Sequence, residues 1–417
     1  MKPIRTLLGL FICTIVATAS SLGKPPQSGK SDELHGRLKG FDWENLVSDI
    51  NGVARHTDEN LVNPWGLAIA PTGAIWVANN GSGTSTVYNS QGEPLPNETT
   101  PLIVEIPAAP TNTEGANPTG TVFNPTADFV VTQGANSGKA IFLFASEDGV
   151  ISGWNPGVDA THAVIGVDAS TSGAIYKGLA LGVTGGNSFL FATNFHAGTV
   201  DVYDKNFAPV VIPGAFVDPT LPAGYAPFGI QNIGNLLFVT YALQDALAED
   251  DVPGAGNGFV NVFTLQGTFV RRFATQGALN APWGLALVGE KKFGKFRNTL
   301  LIGNFGDGRI NAFDFTTGAL IGPLLDADGV TLAFDGLWAL AFSGKSLFFT
   351  AGIADEEHGL FGVITRAKHD DNGLHLGQNK DHGGKGHGDK DDDDNDQGED
   401  HDNQGGHHGD DGDHDDD

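Results

Sequence analysis

One module recurs along the chain and constrains the fold more than any single motif does. From Asn63 the sequence reads NPWGLAIAPTGAIWVANNGSGTSTVYNSQGE, from Tyr176 YKGLALGVTGGNSFLFATNFHAGTVDVYDKN, and from Ala281 APWGLALVGEKKFGKFRNTLLIGNFGDGRINAFDFTTG. Each opens on an aromatic residue or lysine before glycine and runs through Leu-Ala to a turn. An apolar stretch ending in Asn follows, then a glycine turn, then an alternating stretch ending in Tyr or Phe. Alternation such as Gly-Thr-Val-Asp-Val-Tyr-Asp from Gly198 has the period of a strand, and the glycine joints are hairpin chemistry. Weaker copies are NPTADFVVT from Asn124 with AIFLFASEDGVISGWN, APFGIQNIGNLLFVTYALQ from Ala226, and DGLWALAFSGKSLFFTAG from Asp335. Aligned on Gly66, Gly178, Gly229, Gly284 and Gly336, with two units between the first pair, the chain holds six units.

Each unit has room for four short strands. Such a sheet cannot bury both faces alone, so neighbours must stack and close radially, which leaves only short, protected edges. The expected fold is therefore all-β, a six-bladed β-propeller over residues 41–367. The last unit runs out near Arg366 before a fourth strand forms. The segment Asn45-Leu46-Val47-Ser48-Asp49-Ile50 is the natural outer strand to complete it, which would close the last blade with the N-terminal end of the body. A chain with 59 Gly, 21 Pro and 27 Phe suits short strands and tight turns better than long helices.

The two ends read differently from the body. Lys2 and Arg5 precede an apolar run from Leu7 to Ala17 that ends in Ala17-Thr18-Ala19, the pattern of a signal peptide over residues 1–19. Residues 20–40 read as a flexible linker. No later stretch is long and apolar enough for a membrane anchor, so a secreted, periplasmic or extracellular location is expected. Cys13 is the one cysteine and lies inside the leader, which leaves the mature chain no disulfide, thiolate or Cys-metal chemistry. From His369 to Asp417 there are 18 acidic residues, 3 Lys and 8 His with little that is apolar. Residues 368–417 therefore read as a disordered acidic tail that collects divalent cations weakly. With 50 Asp+Glu against 23 Lys+Arg and a net charge of −27, nucleic acid is excluded as a partner.

The pattern P-[WF]-G-[LI], then an apolar strand, a glycine turn and a strand ending in Tyr/Phe-Asn/Asp, resembles the NHL-type repeat, most specifically in units 1, 3, 4 and 5. The opening NLVSDINGVARHTDENLVNPWGLA from Asn45 resembles a group of uncharacterised bacterial secreted proteins, some with PEP-CTERM anchors. The resemblance spans residues 41–367 and implies a propeller and a secretory route, with no chemistry attached. The Pro-Glu-Pro motif, hydrophobic span and basic stop of those anchors are missing from this sequence, so covalent surface sorting is not expected.

Propellers place ligands where the innermost strands converge. Aligning the strand ends at Tyr88, Tyr203 and Phe313 puts Asn79, Asn194 and Asn304 at one position of units 1, 3 and 5. Ala145 or Ser146, Tyr241 and Ala351 or Gly352 occupy it in the others. An Asn offers a neutral acceptor and two donors, suited to calcium or a polyol, and equally to capping a hairpin turn. Glu147, Asp148, His196 and Asp307, with Asp355, Glu356, Glu357 and His358, lie in the corresponding loops and would supply a calcium site if those loops share a face. The candidate ligand-binding residues are thus Asn79, Asn194, Asn304 and His196, and the candidate metal ligands Glu147, Asp148 and Asp307, with calcium the possible cofactor. Trp65 and Trp283 share a position with Phe228, where blade packing and stacking on a sugar at the channel mouth are both open. No G-x-S-x-G, P-loop or H-E-x-x-H pattern is present. The expected function is a secreted propeller that binds a small molecule, glycan or envelope protein. The alternative is a metal-assisted hydrolase or lactonase acting in the channel, on the pattern of gluconolactonase-type propellers that hold a metal with Glu, Asn and Asp.

Overall fold

The computed structural model describes residues 40–289 and 293–367; the segments read as leader and acidic tail, and the linker save Gly40, lie outside the described residues. Six sheets, antiparallel but for one short parallel pairing in blade 6, form the blades of a propeller, as the repeats require. The first strands of the blades are Pro64–Ile69, Pro118–Phe123, Tyr176–Thr184, Tyr225–Ile233, Pro282–Val288 and Leu337–Ser343, and each touches the next all the way round. Blades 1, 2, 4 and 5 are four strands deep, blade 6 has a fifth short strand, His56–Thr57, beside Phe41–Ser48, and blade 3 has three: Tyr176–Thr184, Asn187–Asn194 and Thr199–Asp204. Among the described residues there is no α-helix, only a 3-10 turn at Ser170–Ser172, and no helix long and apolar enough to cross a membrane.

The recurrent glycine has a steric cause. In blades 1, 4, 5 and 6 the ladder slips just after the first residue of the motif, between Pro64 and Leu67, Pro227 and Ile230, Pro282 and Leu285, and Leu337 and Leu340. Such a bulge re-aims the intervening side chain, here Trp65, Phe228, Trp283 and Trp338. The glycine that follows meets the backbone of the next blade. A Cβ on Gly66 would sit 2.3 Å from the Thr119 carbonyl oxygen, on Gly229 2.2 Å from that of Trp283, and on Gly284 2.4 Å from that of Trp338. Gly229→Ala should therefore lower stability by roughly 1–3 kcal/mol, the cost of overpacking a close contact. Gly289→Ala, with open space around its Cβ, should leave the chemical denaturation midpoint unchanged. Equal midpoints for the two variants would refute the steric account.

Two unit boundaries differ from the sequence expectation. Blade 2 begins at Pro118–Phe123, not at Asn124; residues beyond it form a separate hairpin, Val130–Gln133 with Asn136–Lys139. In blade 6 the position of the repeat glycine is held by Ala339, since Leu337 pairs with Ala351 as Pro64 pairs with Asn79. Gly336 precedes the strand in a left-handed conformation, with φ 62°.

Hydrophobic clusters fill the gaps between successive blades. Trp76 stacks on Phe142 across the first gap, with ring centroids 4.2 Å apart; Leu143, Tyr176 and Leu190 fill the second, and the gaps onward round to blade 1 are filled likewise. The ring closes as expected. Phe41–Ser48 is the outer strand of blade 6, antiparallel to Leu360–Arg366, with Phe41 opposite Arg366 and Ser48 opposite Leu360.

Candidate functional site

Because each second strand runs antiparallel to the first, the loops after the second strands gather with the segments that lead into the first strands. One face of the ring therefore carries Asn80, Glu147, His196, Asp250, Asp251, Asp307 and Glu356. At its centre the residues before the repeat glycines point to the axis. Trp65 stacks on Trp338 with centroids 3.5 Å apart, Trp283 meets both edge-on, and Phe305 stacks on Trp338 at 4.2 Å. The tryptophans thus form a plug on the axis. Past it, the inner strands line a cavity of about 300 Å³, apolar apart from Thr121, Gln231, Asn232 and backbone.

The same inner position in blade 3 holds Lys177, 1% exposed. Its ammonium lies 5.3 Å from the Trp65 ring centre and 5.8 Å from that of Phe195. It donates to Glu147 Oε1 of blade 2 and, at 3.1 Å, to Asp250 Oδ1 of blade 4. Burial alone would push the ammonium down in pKa; the Glu147 and Asp250 charges outweigh it and hold the group above the usual lysine range. Asn80 donates to Glu147 Oε2 at 2.9 Å. Asn63 accepts from Trp338 Nε1 at 3.2 Å and reaches Glu356 Oε2 at 3.4 Å. Glu356 ends a run of three left-handed residues, Ala354, Asp355 and Glu356, a costly backbone for non-glycine residues.

The charges do not balance. Glu147 and Asp250 pair with the one lysine, and Asp251 and Glu356 lie near enough to feel its charge. Desolvation, with the neighbouring carboxylates adding and Lys177 subtracting, pushes both Asp251 and Glu356 up to about 7. Asp251 Oδ2 and the Trp65 indole N–H are buried without a hydrogen-bond partner.

The residues singled out from sequence divide between the mouth and the blades. Asn79, Asn194 and Asn304 do share one register position, opposite Pro64, Tyr176 and Pro282. Each bonds within its own blade or its lead-in. Asn79 donates to Thr84 and Thr86, Asn194 donates to Asp201 and accepts from Ile175 and Ala197, and Asn304 donates to Ala278 and Asp307. The residue after each, namely Asn80, Phe195 and Phe305, is the one that reaches the mouth. Glu147 joins the lysine cluster. Asp148 instead accepts from Ala109 N–H at 2.6 Å and from Asn112, and Asp307 accepts from Asn304 and Arg309. His196 lies 3.3 Å from the Ala248 carbonyl, and His358 pairs with Asp49 at 2.7 Å. Lys177, Asp250, Asp251 and Trp338 were not singled out. Among the described residues no three His, Cys, Asp or Glu side chains are grouped to hold a metal ion.

No protein-family model matches the chain. "Uncharacterized protein R648" of Acanthamoeba polyphaga mimivirus is 35% identical over 329 residues, covering 77% of this chain and 79% of that protein. "Uncharacterized protein L690" of the same virus is 34% identical over 333 residues, covering 77% and 84%. Both relatives are viral, so the likeness to a bacterial secreted group rests on the opening residues alone. Among solved structures, a streptogramin B lyase aligns over 79% of this chain and 99% of its own at 13% identity and a TM-score of 0.46. A glucose dehydrogenase aligns over 79% and 100% at 12% identity and 0.48. At such identities the likeness concerns the fold alone.

Proposed function

The chain belongs to the same family as the uncharacterised mimivirus proteins R648 and L690, and from that premise we propose that it is a secreted binding propeller that takes a cationic group, of a small molecule or an envelope partner, at the Lys177 mouth. The observation that supports this reading is a buried ammonium paired with two carboxylates while two further buried carboxyls, Asp251 and Glu356, feel the same charges and are pushed up to about 7. A second cation at the rim of the mouth, where Asp250 is largely exposed, would supply the missing counter-charge. The leader residues support export.

Binding of a cation should ionise Asp251 and Glu356 and so release protons near pH 7. Calorimetry of the full chain with choline as probe should show a saturable site that is stronger at pH 8 than at pH 6 and weakened about tenfold in Glu356→Gln, the order expected for loss of one charged contact. Identical isotherms for both proteins would refute it. The metal-assisted hydrolase or lactonase is the alternative, favoured by two carboxyls that titrate in the range of general acids and bases. Turnover of a lactone or ester panel that depends on added calcium, and is lost in Glu356→Gln, would establish that reading instead.

A further inference from the structure

Blade 3 stops one strand short, and blade 1 shows what is missing. After its third strand, Thr84–Tyr88, blade 1 turns back: Tyr88 bridges Pro94, and Leu95 N–H donates to the Val87 carbonyl at 2.8 Å. The chain then loops out and returns. Ile103–Glu105 pairs with Thr84–Thr86, Val104 lies opposite Ser85, and Ile106 N–H donates to the Gly83 carbonyl at 3.0 Å. Blade 3 begins identically at equivalent residues, since Tyr203 bridges Pro209 and Val210 N–H donates to the Val202 carbonyl at 2.8 Å. There the likeness ends. After Val210 the chain leaves the sheet, and among the described residues no strand pairs with the outer edge of Thr199–Asp201.

The bonds made beyond Tyr203 show which main-chain groups face the vacant edge. The Val202 carbonyl and the Asp204 N–H, which donates to Ala208 at 2.8 Å, both point outward. Strand alternation therefore turns the N–H and carbonyl of Val200 and the N–H of Val202 outward too. Beside them lies a cavity of about 350 Å³ between Gly198–Tyr203 and Pro209–Val217, with Val200, Val202, Val210, Ile212 and Phe216 in its walls and Asp201 as its one carboxylate. Val211 and Val217 on its rim are 87% and 56% exposed, whereas Val104, in the filled slot of blade 1, is fully buried.

We propose that this edge is a docking site for an extended segment of a partner protein, which adds as the fourth strand of blade 3 with aliphatic residues at alternate positions. Strand addition of this kind takes affinity from main-chain bonds and specificity from the alternate side chains. Blade 1 supplies the template: in Ile103-Val104-Glu105-Ile106 the alternate residues Val104 and Ile106 are the buried ones. The net charge of −27 disfavours a second copy of this chain and favours a basic segment.

The probe is a labelled peptide of residues 101–107, PLIVEIP, and its Glu→Lys form, added to the full chain. Fluorescence anisotropy should saturate, with the lysine peptide binding tighter, and hydrogen exchange at the Val200 and Val202 amides should slow. Val200→Pro removes one outward donor, a change that edge strands tolerate. Val217→Lys removes an apolar rim contact and repels a basic segment without touching the ladder. Each should weaken binding about tenfold, as expected for a lost hydrogen bond or apolar contact, with the melting temperature checked in parallel. No saturation at millimolar peptide, or equal binding by all three proteins, overturns the proposal. A concentration-dependent dimer of the free chain that Val200→Pro dissociates would assign the edge to a second copy and overturn it as well.

Discussion

Deletion of residues 40–50 is expected to turn the protein insoluble, because one strand closes the ring on both sides. Phe41–Ser48 completes blade 6, but its side chains serve three blades. Phe41 stacks on Phe293 at 4.5 Å in the cluster shared with blade 5. Leu46 and Val47 lie with Ile75, Val77 and Tyr88 of blade 1. Behind the strand, Ser48 Oγ donates to the Gly359 carbonyl at 2.8 Å, and Asp49 accepts from Gly359 N–H and faces His358. Burial of Phe41, Leu46 and Val47 alone stabilises by ~1.5–3 kcal/mol each, so its loss is comparable to the ~5–15 kcal/mol that holds a typical domain. The deletion also exposes the edge of Leu360–Arg366, an invitation to intermolecular pairing. Expression of the truncated chain should give aggregate, and a synthetic peptide of residues 40–50 supplied during refolding should recover soluble monomer. A truncated chain that is soluble and melts with the full one would show that the ring closes by another contact.

That closure was legible in the sequence because strand supply and demand are countable in a repeat. The two misplaced boundaries show where counting fails. Blade 2 carries Asn-Pro-Thr twice, at Asn117 and at Asn124, and the true copy has Thr119 where the other units have an aromatic or lysine; it is marked by Gly120, whose Cβ would meet the blade 3 backbone, where the second copy has Ala127. In blade 6 the glycine is replaced by Ala339, so Gly336 attracted the alignment and hid Trp338 from its partners Trp65 and Trp283. The site was half legible. Its loops and its face followed from register, but strand alternation turns Asn79, Asn194 and Asn304 into their own blades and the next residue to the mouth. Asp250 and Asp251 sit on a long loop that has no counterpart in other units, and no periodicity could have placed them. Lys177 was visible only as an odd residue before a glycine; its meaning comes from the blades on either side.

Lys177→Met should cost about 3 kcal/mol at pH 8, the low end of the destabilisation expected when one member of a buried ion pair is removed. The low end applies because Glu147, its main partner, keeps a quarter of its side chain exposed and Asp250 most of it, so water screens part of the orphaned charge. The pH dependence identifies the cause. In the native protein Asp251 and Glu356 titrate at about 7, against roughly 4 in an unfolded chain. Between those values the folded state keeps protons that the unfolded state has released, so stability falls as pH rises through this window and levels above it. Lys177 acts against the rise at both groups. Without its charge both climb further, and the fall continues beyond pH 7. Urea denaturation should therefore show a smaller loss for Lys177→Met at pH 5.5 than at pH 8, and Glu147→Gln combined with Lys177→Met should recover most of it. A loss that is the same at both pH values, and is not relieved in the double variant, would mean that Lys177 matters for its packing against Trp65 and Phe195 and not for the charge it carries.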